Sequence, residues 1–169
     1  MRFFLIFMMA VPAMAASDRV LIKAARYVIQ RNEGVKYKPY KDSNGHLTIG
    51  IGHKIVAGEK FRQIDDTIVE KLFAKDVQHH LRRCRRFLPQ YDSYPVCVQV
   101  AILDGFYRGC LSGSPKTLRL IRKGRWTEAS VEYLNNREYR ISKKKKTGVY
   151  LRMKRNAVKF LRYGQKIRG

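Results

Sequence analysis

Three side chains in one short stretch could do chemistry together. They are the carboxyl groups of Glu33 and Asp42, nine positions apart, and the hydroxyl of Thr48, six positions further on. Two carboxyl groups at a fixed separation are what hydrolysis of a glycosidic bond needs. One must be protonated to donate to the leaving oxygen, and the other must be ionised. Apolar burial keeps a carboxyl group protonated, and a polar, solvated setting keeps one ionised. Glu33 follows an apolar helical stretch, whose loose C-terminal carbonyls disfavour a negative charge. Asp42 sits in a polar turn among Lys41, Ser43 and Asn44. The asymmetry has the sign the chemistry requires. The same residues also fit a solvated helix-end acid and an ordinary turn acid, so spacing alone leaves both readings open.

Positioning the three takes a helix that delivers Glu33 and a hairpin that carries the others. Ser17 or Asp18 can cap a helix running to about Asn32. Val20, Ala24, Tyr27 or Val28, and Arg31 step along it at helical spacing. Gly34 lets the chain leave the helix. Strand-like runs at 37–41 and 46–51 flank Asn44-Gly45, a hairpin signal. A second helix begins near Asp65-Asp66, with a capping-box form from Thr67 to Glu70 and a stripe of Ile68, Leu72 and Phe73. Leu88-Pro89 closes it. Pro95 opens a central helix with an apolar face of Val96, Val100, Leu103 and Tyr107. Helices are also expected at 117–122, at 126 to about 136 with Trp126 in the core, and at 148–160. Val149, Leu151, Val158 and Leu161 are the apolar positions of the last. The lysine run at 143–146 reads as a loop.

The pattern Glu33-Gly34, Pro39-Tyr40, Asp42, Gly45, Thr48-Ile49-Gly50 and Gly52-His53 resembles the active-site region of the phage-type lysozymes, glycoside hydrolase family 24. The stretch from Glu70 to Val77 and the Gly148-Val149…Arg152…Arg155 segment are similar to the same family. The resemblance covers about residues 31–161, strongly in the first half and patchily in the second. It implies an α+β, lysozyme-like fold: a small N-terminal hairpin lobe and a helical C-terminal lobe, joined by a long helix, with the active site in the cleft between. It implies Glu33 as general acid, Asp42 activating or holding the attacking water, and Thr48 orienting that water. It implies a peptidoglycan substrate, no metal, no cofactor and mostly inverting chemistry. By family position Thr117 is a candidate sugar contact, Tyr107 could stack on a sugar face or pack in the core, and Arg152 approaches the cleft and pairs with Glu33. His53 pairs with Asp76, tying hairpin to helix. The chain departs from the family where an Asn is usual before Gly109, and again where Asn156 replaces the usual Glu.

A net charge of +23 over 169 residues calls for an anionic partner: a bacterial envelope, nucleic acid or an anionic membrane. The basic residues are spread from Lys23 to Arg168, whereas a nucleic-acid module concentrates them on one face. No specific nucleic acid is expected, and a monomer is. Cys84, Cys97 and Cys110 lack Cys-x-x-Cys spacing, which argues against zinc. One disulfide with a free thiol and three small buried thiols both fit. Met1-Arg2, an apolar run at 3–11, Pro12 and Ala13-Met14-Ala15 form the n-, h- and c-regions of a secretory signal, with cleavage expected after Ala15 and the lysozyme-like domain at 16–169. That places the mature chain in the periplasm or outside the cell. The leading functional expectation is a muramidase that lyses cell walls. A basic envelope- or nucleic-acid-binding module that lost catalysis is the alternative, and a transglycosylase needing one acid is disfavoured by the presence of Asp42.

Overall fold

The computed structural model describes residues 16–42 and 45–169, so the expected signal segment at 1–15 and Ser43-Asn44, where a hairpin turn was expected, lie outside the described residues. The described chain forms α1 (Ala16–Glu33), β1 (Lys36–Lys41), β2 (Leu47–Gly50), β3 (His53–Lys54), α2 (Asp66–Phe87), a 3-10 turn (Tyr91–Ser93), α3 (Val96–Tyr107), α4 (Pro115–Arg122), α5 (Trp126–Leu134), α6 (Arg137–Lys144) and α7 (Gly148–Lys166). The strands make an antiparallel sheet in the order β1-β2-β3. This is the expected α+β, lysozyme-like architecture. The sheet forms the small lobe, α3 to α7 build the helical lobe, and α2 packs on both.

Local chemistry accounts for each piece. Pro39 cannot donate a ladder hydrogen bond, and it sits on edge strand β1 where the pairing register slips between Lys36 and Tyr40. β3 lies beyond the expected run at 46–51 as a short strand of its own, set off by Gly52. Asp65 caps α2 by accepting from the Ile68 N–H at 2.8 Å. The cap expected from Thr67 to Glu70 is not used, because both residues lie inside the helix, and Glu70 instead pairs with Arg26 of α1. Asp18, expected as a cap of α1, lies in that helix's first turn and holds Arg85 at 2.6 Å.

Three expected stripes are displaced. α1 buries Leu21, Ala25 and Ile29, whereas Val20 and Tyr27 are 60% and 69% exposed. α7 buries Met153, Ala157 and Phe160 and leaves Leu151 in solvent. α3 has no single apolar face. It is buried all round from Val98 to Phe106, as befits a helix packed by α1, α2 and α7, while Val96 is exposed. The expected lysine loop begins inside α6, whose N-cap Asn136 accepts from the Tyr139 N–H at 2.8 Å. Trp126 is in the core as expected, ringed by Tyr94, Phe160 and Tyr163. α7 crosses it so closely that a Cβ on Gly164 would lie 2.7 Å from the Trp126 Cβ. The three cysteines are free: Cys84 is buried, Cys110 half-buried and Cys97 exposed, so three buried thiols is a correct description of Cys84 alone.

Candidate active site

Glu33 is the last residue of α1, and the chain turns away at once. Gly34 adopts φ +71° and returns its N–H to the Gln30 carbonyl at 2.7 Å. Asp42 follows β1 and organises its own turn. One carboxylate oxygen accepts the His46 N–H at 2.8 Å, and the other lies 3.4 Å from the His46 ring. Thr48 is on central strand β2, opposite Tyr40, with its hydroxyl donating to the His46 carbonyl at 3.0 Å. The turn after β2 then presses against the acid. A Cβ on Gly52, which has φ +76°, would sit 3.5 Å from three atoms of the Glu33 side chain. That spacing is ordinary van der Waals contact, so it is the left-handed backbone that favours glycine here.

Glu33, Asp42 and Thr48 open into one cleft of about 910 Å3 between the sheet and the helices. Tyr107 and Arg152 line it too; Thr117 does not, being buried within the helical lobe. Tyr107 is anchored on both sides. Its hydroxyl donates to the Ile51 carbonyl at 2.6 Å, and its ring packs against Phe73 and His80. Burial pushes that hydroxyl well above the ordinary tyrosine value. The ring joins the lobes across the cleft floor, which fits the core role weighed for it in the sequence.

Arg152 reaches Glu33 as expected, with Nη1 2.5 Å from Oε1. The rest of its guanidinium is held by a residue that the sequence reading passed over. Asp104, fully buried in α3, accepts from Nε at 3.0 and 3.1 Å and from Nη2 at 2.8 Å. Asn156 donates to Asp104 at 2.7 Å and Asn32 at 3.3 Å, and Arg155 in turn donates to Asn32 at 2.7 Å. Burial disfavours the charge on Arg152, but Asp104 first and Glu33 second more than offset it, and the guanidinium is held firmly protonated. Asp104 had a visible signal: it is the one acid in the otherwise apolar run of α3.

His53 is fixed from both sides. Nδ1 meets Asp76 of α2 at 2.8 Å, as expected, and Nε2 meets Glu59 at 2.9 Å. Lys75 also donates to Glu59 at 2.8 Å. The bond to Asp76 raises the His53 pKa above 6.5, burial opposes it, and Glu59 adds to the rise. Glu59 is lowered to about 2, chiefly by Lys75, then by His53 and the Val56 N–H. Deeper in the cleft, burial and neighbouring cations lower His80 to about 4, and its Nδ1 has no hydrogen-bond partner among the described residues. Among the described residues no group of His, Cys, Asp and Glu is arranged to hold a metal.

Comparison with known proteins bears on the family of this chain. A protein of Dictyostelium discoideum named "Probable T4-type lysozyme 2" is 25% identical over 144 residues, which take in 69% of this chain and 85% of that protein. The family described as Phage lysozyme matches residues 30–157, from the last turn of α1 through the hairpin and cleft to the Arg152–Asn156 turn of α7. A match spanning every wall of the cleft places this chain in the phage lysozyme family.

Proposed function

We propose that the protein is a muramidase, hydrolysing the β-1,4 bond between N-acetylmuramic acid and N-acetylglucosamine in bacterial peptidoglycan. Family membership implies a peptidoglycan substrate and suggests glycoside hydrolysis. The observation that carries the finer reading is the shared cleft, with a carboxyl group at a helix end, a second on the hairpin and a hydroxyl beside it. Glu33 donates its proton to the leaving oxygen. Asp42 holds or activates the water that attacks from the other face of the sugar, and Thr48 orients it. The water oxygen bonds to the anomeric carbon as the glycosidic bond breaks. The water's proton passes toward Asp42, and the product leaves with a free reducing end.

Arg152 has a definite part in this sequence. A guanidinium facing Glu33 alone would favour its ionised form. Here Asp104 keeps Arg152 paired whether or not Glu33 carries a proton, so the arginine can position the acid without being left as an uncompensated buried charge. The protein is also proposed to act outside the cytoplasm, on the strength of the secretory signal at 1–15.

One experiment addresses both parts. Protein recovered from the periplasm or medium of expressing cells should begin at Ala16, and on purified peptidoglycan it should release free reducing ends. An intact Met1 would overturn export, and 1,6-anhydro products would replace hydrolysis with transglycosylation.

A further inference from the structure

The displaced stripes of α1 and α7 are apolar positions turned outward, and they lie on either side of a second groove. Tyr27, Val28, Leu151 and Val158 give this groove of about 450 Å3 apolar walls. Arg31, Lys154, Arg155, Lys159 and Arg162 surround them, and among the described residues no carboxylate lines the groove. On α7 the contributing positions 151, 154, 155, 158, 159 and 162 form one helical face. On α1 the exposed Val20 continues the face of Tyr27 two turns earlier. The helices are joined at one end, where Arg155 donates to Asn32. Arg31, Lys154, Lys159 and Arg162 have no carboxylate partner among the described residues, although other arginines of the chain are paired, among them Arg26, Arg85, Arg108, Arg125 and Arg152.

We infer that this seam docks the protein on a membrane surface rich in anionic lipid headgroups. The cations match lipid phosphates in sign. The apolar walls, with a tyrosine at the lip, suit the boundary between headgroups and acyl chains. A soluble anionic polymer would satisfy the cations and leave the apolar walls without a partner. The seam shares Arg31, Asn32, Leu151 and Arg155 with the catalytic cleft, so a protein seated here holds its cleft beside the membrane surface. The inference does not depend on the catalytic assignment.

The test uses vesicles of phosphatidylcholine, with and without phosphatidylglycerol, at fixed ionic strength. The full chain should bind only the vesicles with phosphatidylglycerol. The triple change Lys154→Glu, Lys159→Glu and Arg162→Glu should weaken binding on the order of a hundredfold. The control Lys143→Glu, Lys144→Glu and Lys145→Glu makes the same change in net charge away from the seam and should weaken it far less. Val20→Ser with Tyr27→Ser keeps every charge and should also weaken vesicle binding. Far-ultraviolet circular dichroism and urea unfolding of all these variants check that they are folded, and none of the changed residues lines the cleft. Equal loss in the two triple variants would overturn the proposal. So would unchanged binding by the Val20→Ser/Tyr27→Ser variant, or a seam-variant defect confined to lipid-free walls, which would reassign the seam to a wall polymer.

Discussion

Three side-chain exchanges separate the work of the cleft residues. Glu33→Gln keeps the shape of the side chain and removes its acidic proton. Wall lysis should fall by at least the 10²–10⁴-fold typical of general acid catalysis, with the fold and wall binding retained. Asp42→Asn should be severe if the water needs a charged acceptor, and Thr48→Ala milder, since it removes only orientation. Turbidity clearing by the folded Glu33→Gln protein at the wild-type rate would leave the basic binding module as the better reading. Asp104 calls for a different measurement, because it meets no substrate. Asp104→Asn leaves Arg152 buried with Glu33 as its only carboxylate, and breaking a buried pair costs about 3–5 kcal/mol. Urea unfolding should show a loss of that order, and adding Arg152→Met should restore part of it. Strictly additive effects of the two changes would mean that the pair is not coupled.

The tie between hairpin and α2 carries a pH dependence whose sign is fixed by His53 and Glu59. The His53 pKa is raised above 6.5, so its contribution to stability is complete below that pH and is lost as pH rises through the folded value. The Glu59 pKa falls from 4.5 to about 2, so its contribution is present above 4.5 and lost as pH falls toward 2. Both contributions are complete only between 4.5 and 6.5. The melting temperature should therefore fall as pH rises above 6.5, and His53→Gln should flatten that drop. An identical drop in both proteins would show that the tie is inert. Helix-scale features of this kind were legible unevenly. The Glu33 helix end, the hairpin, the His53–Asp76 pair and the core place of Trp126 follow from local spacing and family pattern. The buried faces of α1 and α7 do not. Each carries a second apolar set one position from the first, and periodicity weighs the two alike. α3 misleads differently, because a helix covered on all sides has no stripe to find. Asp104 stands out in that helix as its one acid, but its role does not. Its meaning comes from Arg152, which lies 48 positions away in sequence.

At the scale of the whole molecule the dominant fact is charge. At +23, attraction to an anionic wall is long-ranged and open to screening, with a reach of about 10 Å at 0.1 M salt and about 3 Å at 1 M. Sedimentation with intact walls should fall steeply over that range, and turnover of a short neutral glycan should fall much less. Equal sensitivity of the two would show that the net charge does not recruit the substrate. The bond from Arg152 to Glu33 adds a dimension of time. These partners are 119 positions apart, and a ribosome adding about 5–20 residues per second needs roughly 6 to 24 s to pass from one to the other. For the last 48 of those positions the nascent chain owns its acid, its hairpin and the Asp104 carboxylate, but not the counter-ion that lets Asp104 be buried. The helical lobe closes only when α7 arrives with Arg152, Met153, Ala157 and Phe160, so the cleft is among the last parts of the molecule to exist.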